Sequence, residues 1–209
     1  MKTLIFDFDG TIADSFELMV DVAYDLIGME RLPQSEVNRL RGLAPAKIIR
    51  ELQIPLTKLP RIVIKGRQKM HERMHEVQPF AGMTEVLEAL RTNTNFRMWV
   101  MSSNSEPNVR TFLRTHKLEG YFDEVHGSVG VFNKATALRK VLRKNHLTAI
   151  DCLYIGDEVR DIAAAKKAGL RPISVSWGFQ TAKVLADHEP YALARKPADL
   201  LRILQDDKV

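Results

Sequence analysis

The sequence predicts an α/β fold built on a parallel sheet covered by helices on both faces. Three observations carry that expectation. The apolar run Leu4-Ile5-Phe6 stops abruptly at Asp7 and Asp9, and Gly10-Thr11 then begins a turn, as a buried strand does on leaving a sheet. From Pro79 onward, apolar strand-like runs alternate with segments of helical period, and strands separated by helices of that length pair in parallel. Between these regions, residues 15–78 hold no alternating or β-branched run, so an all-helical insert interrupts the sheet after its first strand.

Each element has its own signal. Phe16 to Leu26 repeats apolar residues at helical spacing, and Gly28 is a C-terminal stop. Pro33-Gln34-Ser35 opens a second helix that runs to Leu40, and Ala46 to Leu52 forms a third. Pro55 to Pro60 is a break, and a fourth helix follows it. On that helix Arg61, Lys65, Lys69 and Arg73 line one face, while Ile62, Val63, Gly66, Met70 and Val77 fall on the other. After Pro79 the expected order is helix 84–90, strand 96–101, helix 109–116, strand 121–125, helix 135–144, strand 150–155, helix 162–168, strand 171–175 and helix 198–204. No internal repeat or low-complexity segment occurs.

Composition narrows the class. With 209 residues the chain suffices for one full core plus a small second unit, and 45% hydrophobic with 27% charged residues is ordinary for a soluble globular enzyme or binding domain. The short opening apolar run, broken by Asp7, does not fit a signal-peptide core, and no run approaches the ~20 residues of a membrane span. The single cysteine, Cys152, lies in an apolar run and is expected to be a buried thiol, with a reducing cytoplasm as the expected compartment. The net charge of +5 permits an anionic partner. The basic stripe 61–73 is expected to be a solvated helix face in preference to a nucleic-acid surface. His71-Glu72-Arg73-Met74-His75 matches the helical zinc pattern H-E-x-x-H, but its flank is that stripe and no third ligand follows on a recognisable helix.

Chemistry-bearing residues gather at strand ends. Asp7 and Asp9 lean the same way at the end of a strand, about 6 to 7 Å apart, and two like charges held so close call for a cation. The strand ending at Met101 leaves Ser103 and Asn104 at its tip, with Ser105-Glu106-Pro107 as cap and first helical turn, near where helix amides hold a phosphate. Lys134 stands at a helix start, against the positive end of its dipole. Gly156-Asp157-Glu158 and Asp161 add an acidic cluster at the same sheet edge. Ligands of open parallel sheets bind beyond that carboxyl edge.

Taken in order, Asp7-Phe8-Asp9-Gly10-Thr11, the strand into Ser103-Asn104, Lys134 and Gly156-Asp157-x-x-x-Asp161 resemble the four motifs of the haloacid dehalogenase superfamily, in its phosphoglycolate phosphatase-like branch with a small helical cap. The resemblance spans nearly the whole chain. It implies a three-layer, Rossmann-like core from 1–14 and 79–209, with the opening strand central and a cap at 15–78. It also implies a magnesium-dependent phosphatase acting on a small phosphate monoester. Asp7 is then the nucleophile of an aspartyl-phosphate mechanism and Asp9 the acid and base. Ser103 and Asn104 hold the phosphoryl oxygens and Lys134 offsets charge, with Gly10 and Thr11 in the substrate-binding turn. Asp7, Asp9 through its backbone carbonyl, Asp157 and Asp161 hold magnesium, and Glu158 orients its waters. Arg41, in the cap loop Arg41-Gly42-Leu43, meets an anionic substrate group.

The second aspartate counts against dehalogenation. A phosphoglucomutase-like phosphotransferase is the alternative, but Leu43, Ala44 and Pro45 stand where such enzymes place a basic group, leaving only nearby Lys47.

Overall fold

The opening strand, β1 (Lys2–Phe6), lies at the centre of the sheet because all but its first residue is apolar or buried, and both its edges find partners. The computed structural model describes residues 1–43, 45–129 and 133–206; Ala44, from the segment compared with the mutases, and 207–209 of the expected core range lie outside the described residues.

Between β1 and the second strand the chain forms α1 (Phe16–Ile27), α2 (Gln34–Arg41), α3 (Pro45–Glu51) and α4 (Leu59–Arg73), the helical insert that the sequence predicts. Gly28 ends α1 in the left-handed conformation, its N–H bonded to the Tyr24 carbonyl. Helices α1 and α4 pack on one another, and Val22, Met70 and Met74 bury their side chains in the same cluster as Phe8 and Ile12 of the core. An antiparallel bridge between Ala13 and Pro79 joins the segments entering and leaving the insert.

The alternation then runs α5 (Met83–Thr92), β2 (Phe96–Met101), α6 (Glu106–Thr115), β3 (Glu124–His126), α7 (Lys134–Lys144), β4 (Cys152–Gly156), α8 (Val159–Ala168), β5 (Arg171–Val175), α9 (Ala182–Ala186), β6 (Ala192–Ala194) and α10 (Ala198–Asp206). All five ladders are parallel and the order is β3-β2-β1-β4-β5-β6. Three details differ from expectation. The turn Glu119–Tyr121 delays β3, the turn Ala149–Asp151 delays β4, and α9 and β6 follow the point where the alternation was expected to close. A three-residue strand leaves too little period-two pattern to read from sequence.

Period two in β1 divides the core. Leu4 and Phe6 face the cluster lined by α5, α6 and α10, while Ile5 faces the cluster of Leu138, Tyr154 and Ala165 beneath α7 and α8. This gives three layers, and it sends Asp7 to the α7–α8 side and Phe8 to the other. Cys152 opens β4, fully buried, and burial pushes its thiol up to about 11. Among the described residues no helix is long and apolar enough to cross a membrane.

Candidate active site

Register aligns the strand tips. Phe6 is level with Val100 and Ile155, so Asp7, Met101 and Gly156 come next together, and the loops beyond them meet above the sheet. Asp7, Asp157 and Asp161 are all buried, each offering a carboxylate oxygen within 4.8 Å of the others. Lys134, buried at the start of α7, donates to Asp7 Oδ2 at 2.8 Å and to Asp161 Oδ1 at 2.6 Å. Its ammonium lies 5.4 Å from the centre of the Tyr154 ring. A cation placed against its own helix dipole is thus held by two carboxylates.

Each acid is fixed on its other side. Asp7 Oδ1 accepts from the Phe8 amide at 2.8 Å. Asp157 accepts from Thr11 Oγ1 at 3.0 Å and from the Phe179 amide at 2.7 Å. Asp161 Oδ2 accepts from the Glu158 amide at 3.1 Å, so this residue caps α8 and pairs with Lys134 at once. Glu158 pairs with Arg160 at 2.5 Å, a residue the sequence reading did not single out. Gly10 has φ +76°, and a side chain there or at Gly178 would collide with Asp157, so the two loops close over that carboxylate only as glycines.

Burial raises the Asp7 carboxyl to about 7 although the Lys134 charge pulls it down. The Asp157 and Glu158 carboxyls are also raised, by burial first, with Asp157 further lifted by the Glu158 charge. Burial works to lower Lys134, but Asp161 and Asp7 hold it well above its ordinary value. Four buried carboxyl groups, Asp7, Asp157, Glu158 and Asp161, thus face two cations, Lys134 and Arg160, one of which is paired with Glu158. The donor set is all hard oxygen and the excess charge is negative, which fits a hard divalent cation.

Asp9 is set apart from this cluster. Its carboxylate accepts from Ser15 Oγ at 2.8 Å and from Asn104 Nδ2 at 3.1 and 3.3 Å. Burial raises its carboxyl above the ordinary range against the pull of those hydrogen bonds. The Asn104 amide is oriented without ambiguity, because its Oδ1 accepts the Ser105 N–H at 2.8 Å and Asn108 Nδ2 at 2.9 Å. Asn108 Nδ2 also donates to the Arg67 carbonyl at 3.1 Å, leaving Asn108 Oδ1 to accept from His71 Nδ1–H at 2.8 Å. A chain of hydrogen bonds therefore runs from α4 to Asp9, and His71 of the zinc-like pattern spends one ring nitrogen on it.

Two expected residues stand differently from their sequence reading. Ser103 lines the cleft beside Asp9, but its neighbour Ser102 is fully buried at the tip of β2, where its hydroxyl accepts the Asn104 N–H at 2.9 Å. Arg41 is pinned to the core, donating to the Gly178 and Phe179 carbonyls at 2.5 and 3.1 Å and stacking 4.3 Å over the Phe16 ring. The basic stripe is partly neutralised, Lys69 by Asp25 at 3.0 Å and Arg73 by Glu76 at 2.7 Å. A cleft of about 210 Å³ opens between α1, α4 and Asp9. A larger one, about 640 Å³, opens at the amino end of the sheet beside Lys2 and Asn95; it has no acid among its described lining residues and lies away from the cluster.

The profile of the haloacid dehalogenase-like hydrolases matches residues 4–175. The chain belongs to this family. As a haloacid dehalogenase-like hydrolase it is similar along its whole length to the phosphoglycolate phosphatase of Synechococcus elongatus, 28% identical over 205 residues covering 97% of this chain and 96% of that one. It is also similar to the pyrophosphatase PpaX of Bacillus cereus, 24% identical with 99% and 97% covered. A haloacid dehalogenase-like hydrolase structure from Streptococcus pneumoniae shares the fold, with a TM-score of 0.83 at 19% identity, covering 98% of this chain and 99% of the other.

Proposed function

We propose that the chain is a magnesium-dependent phosphatase that hydrolyses a small phosphate monoester through an aspartyl-phosphate on Asp7, with residues 15–78 acting as its cap. The observation that carries this is the division of the acids. Asp7, Asp157 and Asp161 converge on one point beside Lys134, and Asp9 stands apart with a raised carboxyl and partners of its own. Asp7, Asp157, Asp161 and the backbone carbonyl of Asp9 would hold the ion. Bound there, magnesium supplies the positive charge that lets an anionic carboxylate meet an anionic phosphate.

Asp7 attacks phosphorus, and the bond to the ester oxygen breaks as Asp9 gives that oxygen its proton. Asp9, now a carboxylate, takes a proton from water, whose oxygen attacks the aspartyl-phosphate and releases phosphate and free Asp7. Asp9 must carry a proton for the first step, and burial moves its carboxyl in the direction that favours the protonated form. Lys134 balances charge on nucleophile and phosphoryl group together. The phosphoryl oxygens take the Ser102 hydroxyl, whose oxygen accepts from Asn104 and whose own proton is left for a ligand. Ser103 is left to the leaving-group side. Gly10 and Thr11 hold the turn that keeps Asp157 in place, and Glu158 steadies the acidic loop through Arg160.

Phosphoglycolate, the substrate in the Synechococcus relative's name, is the first ester to try. A second reading, pyrophosphate, has the PpaX relative in its favour. The test is turnover of a generic aryl phosphate and a phosphometabolite panel. Activity is expected with magnesium, loss in chelator and recovery on adding magnesium back. Equal rates in chelator would sink the metal assignment.

A further inference from the structure

The cleft beside Asp9 is where a leaving alcohol must lie, since Asp9 delivers its proton. Its polar lining residues, Asp9, Ser103, Asn104 and Arg67, are joined by a wall of Met19, Val22, Leu26, Ile62 and Met70, an apolar face that suits carbon better than the several hydroxyls of a sugar. Arg67 is the one cation among its described lining residues. It lies on the inward side of α4, off the exposed basic stripe. The residue is tied at two points to the core: its Nη2 donates to the Ser103 carbonyl at 3.1 Å, and its own carbonyl accepts from buried Asn108. One guanidinium N–H is thereby used, and the other donors have no described partner.

We propose that Arg67 selects the substrate, binding the carboxylate of a phosphorylated short hydroxy acid whose carbon body rests on the apolar walls. The proposal rests on the phosphatase reading. A guanidinium fork matches a carboxylate in shape and charge, and partial burial strengthens the pair. The cleft, about 210 Å³, is roomy for glycolate, so acids with further apolar carbons fit as well. Inorganic phosphate as leaving group would satisfy Arg67 but leave the apolar walls in contact with a charged, hydrated ion.

Paired esters test this, each carboxylate matched by a methyl: 2-phosphoglycolate against ethyl phosphate, and 2-phospholactate against isopropyl phosphate. In the magnesium-loaded wild type, kcat/KM favours the carboxylated member of each pair. In Arg67→Met that preference falls about 10- to 100-fold, the range for a hydrogen-bonded charge. Arg67→Lys, keeping the charge without the fork, falls between. The ratio is taken within one protein, so partial misfolding or a purely structural role moves both members alike and leaves it unchanged. An unchanged ratio in Arg67→Met, no preference in wild type, or pyrophosphate turned over better than either acid overturns the assignment. Wild type inactive on every ester, aryl phosphate included, overturns the phosphatase reading itself.

Discussion

Asp7→Asn is expected to lower turnover of every ester by ~10⁴-fold or more, the scale for loss of a nucleophile, with no phosphorylated protein formed. Asp9→Asn behaves otherwise. Alkyl phosphates, which need their leaving oxygen protonated, slow by about 10²- to 10⁴-fold. An aryl ester with a good leaving group still phosphorylates Asp7, but water then attacks without a base. The expected trace is a burst of about one equivalent of phenol followed by slow turnover, with a phosphate mass on the peptide containing Asp7. Should the burst and adduct survive Asp7→Asn, another group is the nucleophile. Near-full activity in both variants would return these acids to a capping and turn role.

Lys134→Met has the second large effect, on stability. The ammonium is buried between Asp7 and Asp161, and removing one partner from a buried ion cluster costs about 3–5 kcal/mol. In the chelated protein this loss depends on pH. The Asp7 carboxyl stands near 7 when folded against an ordinary 3.8, so the folded state binds its proton more tightly. That stabilisation is full below 3.8 and is lost as pH rises through about 7. Without Lys134 the folded value moves higher still, so the Asp7 share of the deficit is absent near pH 5 and present near pH 8, on top of the share due to Asp161, and the deficit is larger at pH 8 than at pH 5. Urea unfolding of both proteins at the two pH values measures it. A deficit independent of pH would mean that the pair with Asp7 contributes nothing and that Lys134 acts through Asp161 or by packing.

The fold was legible from local signals, and so were most of the residues that make up the candidate site. Asp7, Asp9, Asp157 and Asp161 sit at strand ends and helix starts, places fixed by the residues around them, and Lys134 announced itself by opposing its helix dipole. What escaped the sequence depends on register or tertiary contact. Ser102 and Ser103 are chemically identical neighbours, and which one is buried turns on the last residue of β2, a boundary that pattern alone fixes only to a residue or two. Arg67 differs from the striped cations only by facing inward, and its partners Ser103 and Asn108 lie 36 and 41 residues away. Arg41 sits in a loop position suited to meeting a substrate, and the Gly178 and Phe179 carbonyls that hold it belong to a loop with no sequence signal linking the two.

Cys152 offers a practical handle on the dynamics of this molecule. Its thiol is buried and, with an ionisation near 11, almost wholly in the unreactive protonated form at neutral pH. Its side chain packs in the cluster beneath α7 and α8, so a thiol reagent reaches it only when this helix layer lifts from the sheet or β4 itself opens, and the rate of alkylation becomes a clock for opening of that part of the core. The chain has no other cysteine, so a single mass increment reads that clock without any engineered label. Because β4 leads directly into Asp157, an ion or inhibitor seated at the strand tip slows the clock by mass action, and the slowing reports its affinity in the absence of turnover.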